Sequence, residues 1–309
     1  METKKINKFL SNKTNKLDFN GIKISVIIPS YNTKDLLEKC LQSLGSGYEI
    51  IVIDNGSTDG SVAMLKKLQS QNPAIKTIFN QKNKGFGGAN NQGIKIATGD
   101  YLLFLNSDTL IKDEAPLRMA QFLKENPQVG VVGCRLLNKD GSSQPSAGPF
   151  PSPLITFIML FAEHWLGDLV RGSFPKDKEV DWVMGAAMMV KKEVIVKAGL
   201  MDEGIFMYMD EVEWCYRLKK AGFKVMFYPG AEIIHLFGAS SKSGRTDPIL
   251  NIYRGLLYFY KKHYSPSQLF ILKIMLKLKA AGALILGFLT NNRYLKQTYV
   301  QALEITRSK

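Results

Sequence analysis

Three residues stand just after apolar runs, and their side chains could do chemistry. Tyr31 follows VIIPS, Asp54 closes EIIVI and Asp108 follows YLLFLNS. A tyrosine ring can stack on a nucleobase. A carboxylate such as Asp54 can accept the imide N–H of a uracil or thymine. Asp108 can ligate a divalent cation that neutralises a diphosphate. A strand-end aspartate can equally form an Asx turn or cap a helix, and Asp59 reads as the cap of the helix after it. Farther along, Asp210-Glu211-Val212-Glu213 places three carboxyls at the start of a helical stretch. Acids favour that end of a helix, and Glu213 can pair with Arg217 four residues on.

The elements that must position these residues follow from the hydrophobic pattern. Runs at 23–28, 49–53, 75–79 and 101–105 read as buried strands. Helical spacing fills 34–44, 60–70 and 89–97 between them, with a loop at 80–88. Strands alternating with helices predict a doubly wound, mostly parallel α/β sheet. In such sheets ligands bind where loops leave the carboxyl ends of the strands, which is where Tyr31, Asp54 and Asp108 fall. Beyond Pro127, strands are predicted at 129–134, 180–190 and 224–228, and helices at 191–198 and 209–221. The segment 138–153, with four Pro and four Ser, reads as a long loop. Residues 154–170 read as an apolar helix on the surface or at an acceptor cleft.

The net charge of +14 sits at the two ends of the chain. Five Lys oppose two acids in residues 1–20, and twelve Lys/Arg oppose two acids in 241–309, which leaves +1 for the 220 residues between. That partition argues against nucleic acid as the partner and for an anionic membrane surface beside a basic end. Cys40, Cys134 and Cys215 are far apart and read as buried, reduced thiols. Residues 1–20 read as a basic, flexible arm with no apolar leader segment.

Seven segments, in order, resemble the inverting family 2 glycosyltransferases. They are VIIPSYN (26–32), IIVIDNGSTDGS (50–61), NKGFGGANNQG (83–93), YLLFLNSDT (101–109), WVMGAAMMVKK (182–192), GLMDEGIFMYMDEVEWCYR (199–217) and HLFGASS (235–241). The later ones resemble the rhamnosyltransferase-like branch of that family.

The resemblance implies a GT-A type, Rossmann-like, mostly parallel sheet flanked by helices over residues 21–241. It implies that Pro29, Tyr31, Asn32 and Asp54 line the nucleobase pocket and that Asn83 and Gly85 approach base and ribose. Asn106 and Asp108 match the family's DxD-type motif, with Asn106 where many members have Asp, so Asp108 is the expected ligand for Mn2+ or Mg2+. His235 matches a position that completes the metal or diphosphate site; without the motif it reads as a core histidine. A neutral imidazole suits Mn2+ better than Mg2+. Gly185 is expected at a tight backbone approach on the acceptor side. Glu211 stands where the family places its catalytic base, with Asp210 as the fallback. Trp182 and Trp214 read either as sugar-stacking or as core residues.

The donor implied by the branch is dTDP-rhamnose, with a UDP-hexose or UDP-GlcNAc as runner-up. The acceptor is expected to be a saccharide or a polyprenyl-linked glycan, at the inner face of the plasma membrane. The departures at Asn106 and Asp210-Glu211 keep a catalytically degenerate nucleotide-sugar-binding module as the competing reading.

From Pro248 the pattern is all helix. Residues 268–289 carry Lys273, Lys277 and Lys279 within an apolar run, and the charge-free part, 280–290, is 11 residues, too short to cross a bilayer. The spacing predicts an amphipathic helix with Lys273 and Lys277 on one face and Leu269, Leu272 and Leu276 on the other. It could lie on a membrane, pack on the catalytic domain, or join two copies as a homodimer.

Overall fold

The computed structural model describes residues 21–236 and 246–307. The basic arm and the 235–241 run beyond Leu236 lie outside the described residues.

The centre is a sheet in the order β3-β2-β1-β4-β11-β6-β12-β5. Its strands are β1 (Ile24–Ser30), β2 (Glu49–Asp54), β3 (Ile75–Phe79), β4 (Tyr101–Leu105), β5 (Thr109–Ile111), β6 (Val129–Leu137), β11 (Ala187–Lys191) and β12 (Lys224–His235). β1 runs parallel to β2 and β4, and β2 to β3. β11 is antiparallel to β4 and β6, while β6 and β12 are parallel. The fold is mixed α/β with a mostly parallel sheet, as the strand–helix alternation predicts. Short strands β7 (Ser143–Gln144) and β9 (Lys178–Val180) pair with β6 and β12, and β8 (Ala147–Gly148) pairs with β10 (Trp182–Val183).

Alternation along the strands sends side chains to two cores. Val26, Ile28 and Val52 face α1 (Lys34–Ser43), meeting Leu37, Cys40 and Leu41. Ile27, Ile51, Ile53 and Phe104 face the opposite layer, built from α3 (Gly85–Ile96) and α8 (Asp210–Lys220). Both faces are covered, which is why these strands read as continuous apolar runs. The other helices of this body are α2 (Ser61–Gln71), α4 (Ala115–Glu125), α5 (Pro153–Phe157), α6 (Glu163–Val170) and α7 (Lys192–Ala198). A π-helical turn, Ile158–Ala162, joins α5 to α6.

Four sequence expectations need correction. The loop at 80–88 is shorter than predicted, because α3 already starts at Gly85. Asn83 Oδ1 accepts the Gly85 N–H at 2.9 Å, and Gly85 adopts φ +76°. The strand at 180–190 is three pieces, broken by Asp181 and by the turn that closes with Ala187 N–H donating to Met184 O. β12 does not stop at 228; its pairing with β6 shifts register across Pro229-Gly230 and resumes at Glu232.

The fourth correction concerns the C-terminal region. It forms three helices, α9 (Thr246–His263), α10 (Pro266–Leu289) and α11 (Arg293–Arg307). They share a third core with Leu160 and Val212 of the α/β body. On α10, Leu272 and Leu276 are buried in that core, but the exposed side is apolar too, with Phe270, Ile274 and Leu278. The helix is therefore not amphipathic. Its lysines interrupt an apolar surface instead of forming a polar face.

Candidate active site

The register of the sheet assembles the site from distant pieces of sequence. Ser30, the last residue of β1, pairs with Asp54, the last of β2. Asp54 is fully buried. Its Oδ1 accepts the N–H groups of Gly56 and Ser57 at 3.2 and 3.0 Å. Its Oδ2 is buried with no hydrogen-bond partner. A carboxylate oxygen in that position is poised for a donor brought by a ligand. Tyr31, beside it, is 45% exposed and offers an open ring face. Pro29 is within β1, past the stretch that pairs with β4, so its missing N–H costs that ladder nothing. Asn32 ties loops together: its N–H donates to Ser57 Oγ at 2.8 Å and its Oδ1 accepts the Thr58 N–H at 2.8 Å.

A chain of hydroxyls links this edge to the Asp108 loop. Ser30 Oγ contacts Thr33 Oγ1 at 2.9 Å, and Thr33 Oγ1 contacts Ser107 Oγ at 2.9 Å. Asp108 is almost fully buried, and its backbone carbonyl accepts the Leu236 N–H at 2.9 Å. That bond, with the pairing of His235 to Thr109, brings the end of β12 against the loop after β4.

The result is a carboxylate facing an imidazole. Asp108 Oδ1 is buried without a hydrogen bond, and His235 Nε2 stands 3.4 Å from it. Gln144 sets the ring's tautomer. Its Nε2 donates to Asn138 Oδ1 and to His235 O, both at 2.7 Å, which leaves Oε1 to accept from His235 Nδ1 at 3.0 Å. With Nδ1 engaged by Gln144, Nε2 faces the Asp108 carboxylate oxygen. An imidazole nitrogen and a carboxylate oxygen at this separation can hold a proton or a cation between them. The arrangement fits a divalent cation, with an outer-shell amide fixing the histidine. The Asn106 amide nitrogen is 3.5 Å from the same Nε2. Among the described residues no group of three His, Cys, Asp or Glu could hold a metal ion.

β11 brings the acids to this edge. Ala187 pairs with Leu105, and Asn106 N–H donates to Ala186 O at 3.0 Å. Gly185 is therefore next to Asn106. A Cβ on Gly185 would meet the Phe86 ring at 2.9 Å and Glu211 Cβ at 3.6 Å. The Gly185 backbone therefore lies beside Glu211. Asp210 is buried beside Glu211, with its Oδ2 unpartnered. Burial, then the Glu211 charge, pushes the Asp210 pKa well above the usual carboxylate range. Burial raises Glu211 as well, opposed by hydrogen bonding with Asp210 and the Gly185 backbone.

Residues 25–195 match the model for glycosyl transferase family 2. The chain is a member of that family.

Among curated relatives, a poly(ribitol-phosphate) beta-glucosyltransferase of Bacillus spizizenii is 43% identical over 133 residues, 41% of this chain and 21% of that protein. A poly-beta-1,6-N-acetyl-D-glucosamine synthase of Staphylococcus aureus is 27% identical over 212 residues, 67% of this chain and 48% of that protein. This family member thus spans from a fifth to a half of the length of the relatives it matches. Among solved structures, the Pyrobaculum calidifontis mannosyltransferase PcManGT, with GDP-Man and Mn2+, overlays with TM-score 0.58 at 16% identity, covering 99% of this chain and 92% of that one. S. aureus TarS 1–349 gives 0.55 at 17% identity, covering 92% and 80%.

Gly85, Trp214 and Trp182 each have protein partners. Gly85 presses against protein, since a Cβ there would be 2.3 Å from Phe206 O. Trp214 is core: it is fully buried, edge-on to Phe104 at 5.3 Å, and its indole N–H donates to Gly199 O. Trp182 is tied to Pro149 O. Gln144 escaped the sequence reading, because nothing in a Pro/Ser-rich loop marks one glutamine as the partner of a histidine 91 residues away.

Proposed function

We propose that this chain is an inverting, metal-dependent glycosyltransferase. It moves a sugar from a nucleotide-sugar to a saccharide or lipid-linked glycan acceptor in cell-surface polysaccharide synthesis. The observation that carries the reading is the buried Asp108 Oδ1 facing His235 Nε2 at 3.4 Å, on the sheet edge that also presents Asp54.

Asp54 Oδ2 accepts the imide N–H of the base, and Tyr31 stacks on it. Asp108 and His235 hold Mn2+ or Mg2+, which when bound neutralises charge on the leaving diphosphate. Glu211 is the base. Burial raises both carboxyls, and the neighbouring Asp210 tunes where Glu211 gives up its proton. The acceptor hydroxyl oxygen bonds to the anomeric carbon on the face opposite the diphosphate. The bond from that carbon to the diphosphate oxygen breaks, and Glu211 takes the hydroxyl proton. Inversion needs no covalent intermediate.

A UDP-linked hexose or UDP-GlcNAc is the donor we adopt over dTDP-rhamnose. Its support is the glucosyl and N-acetyl-glucosamine chemistry in the relatives' names. We also read residues 248–309 as facing an anionic membrane at the cytoplasmic leaflet, with charge as the support.

Asp108→Ala is expected to abolish transfer, and a chelator to stop turnover reversibly on adding Mn2+. Nucleotide release across UDP-glucose, UDP-GlcNAc and dTDP-rhamnose reads the donor. Full transfer by Asp108→Ala would overturn the metal-site reading.

A further inference from the structure

Two exposed apolar faces lie side by side on this molecule. On α10 the outward side carries Phe270 (66% exposed), Leu278 (61%) and Ile285 (61%), and Lys277 is the single charged residue among the helix's exposed positions. On the α5–π–α6 segment the outward side carries Phe157, Leu169 and Trp165, the last 77% exposed. The two helices pack together: Leu160 joins the core cluster of Leu272, Met275 and Leu276. Lys279 Nζ is 5.9 Å from the Phe161 ring, which is 5.3 Å from Phe157. Exposed apolar surface of this extent marks a binding face.

We infer that residues 153–170 and the outward face of α10 form one shelf that inserts into the interfacial layer of an anionic bilayer. The inference rests on the membrane reading of residues 248–309 and extends it to a segment of the catalytic body. Three observations select the bilayer as occupant. First, nine Lys/Arg oppose two acids in 246–307, and Lys277 and Lys279 stand within or beside the apolar surface. Lysines set among apolar side chains match lipid tails under anionic headgroups. Second, an isologous contact between two copies would set the basic C-terminal region, with nine Lys/Arg against two acids, near its own copy. Third, the exposed tryptophan is of the type that settles at headgroup depth.

Pro153–Val170 is, among the described residues, the one helix long and apolar enough to cross a membrane. Its details fit a helix lying in the plane instead. The π turn and the non-helical Leu166 break its axis, Glu163 pairs with Arg171 at 3.0 Å, and Thr156 bonds Tyr260 of the body at 2.9 Å. The segment leaves β8, whose partner β10 ends two residues before Gly185. A bilayer on the shelf therefore lies on the Glu211 side of the sheet, the side from which a lipid-linked acceptor would come.

The test uses the full chain and vesicles of phosphatidylcholine with or without about one third phosphatidylglycerol. Trp182 is half-buried and Trp214 buried, so Trp165 is the reporter. Flotation is expected with the anionic vesicles, with a blue-shifted emission that shallow lipid-borne quenchers reduce. Trp165→Phe should lose the quenchable component and still float. Trp165→Asp with Leu278→Asp, both at exposed positions, should weaken partitioning at least about tenfold. Flotation with no quenching of Trp165 would overturn the shelf while leaving the membrane reading intact. No flotation on either vesicle would overturn both. A concentration-dependent dimer that the double variant dissociates, without vesicle binding, would assign the face to a second copy.

Discussion

Asp210 and Glu211 are neighbours in sequence, yet burial makes them unequal. Burial raises the pKa values of both carboxyls, and each acts on the titration of the other. The pH–rate profile should therefore show an acidic limb above the usual carboxylate range, with activity rising as the pair gives up its first proton. Glu211→Gln is expected to lower kcat by roughly 10²–10⁴-fold with the donor KM little changed. Asp210→Asn should move the acidic limb without that loss; equal losses in both variants would contradict the division of roles. The stability sign is opposite to that of a salt-bridged acid. A carboxyl whose folded pKa is raised contributes stability below its unfolded value, near 3.8 for Asp, and loses it as pH rises through the folded value. Asp210→Asn should thus raise the Tm near pH 8, with a gain that shrinks toward about pH 4. The sequence marked both acids as candidates, and Asp108 and Asp54 as ligand-facing, because strand ends and helix starts are readable. It could not choose between the two acids, since the choice lies in Asp210's burial and in the Gly185 backbone brought up by β11.

Elements with their own hydrophobic period were legible, and those set by tertiary contact were not. β3 and β4 match their predicted ranges to the residue; Asp59, expected as the cap of α2, sits one residue before the cap position, which is Gly60. Asp59 accepts from the Lys34 and Ser61 N–H groups and so tethers the starts of both α1 and α2. The start of α3 was missed because Gly85-Phe86-Gly87-Gly88 has poor helix propensity. What overrides propensity is the 200–209 loop, where Phe206 O accepts the Phe86 N–H at 2.9 Å. Gly85→Ala would combine an unfavourable φ with a Cβ 2.3 Å from that same oxygen. We expect a loss of at least about 1–3 kcal/mol, seen as a lower Tm in thermal melts. An unchanged Tm would mean that the 200–209 loop does not hold α3 in place.

At the scale of the whole molecule, the sequence leaves open whether the C-terminal helices lie on a membrane or pack on the α/β body, and in the structure they pack on it. Leu256, Phe259 and Tyr260 of α9 are fully buried, against a cluster that includes Leu160 and Val212. Phe259 stacks edge-on with Tyr216 of α8 at 5.3 Å. Glu213, fully buried on the same helix, is bonded by Arg217 at 2.9 Å, as the spacing foretold, and also by Lys262 at 2.8 Å and His263 at 3.0 Å. Periodicity identifies these helices but not which face of α8 awaits them. Deleting residues 248–309 would bare at least three large side-chain contacts, each worth about 1.5–3 kcal/mol, and strip Lys262 and His263 from a buried carboxylate. The sum approaches the roughly 5–15 kcal/mol that holds a domain folded. The truncated protein should therefore aggregate or bind a hydrophobic dye, and lose turnover even on a water-soluble acceptor analogue. Exposed-face variants such as Leu278→Asp should keep that soluble-acceptor activity. A truncated protein that melts at the full-length Tm would instead mean that α8 and its acids hold their geometry without the bundle.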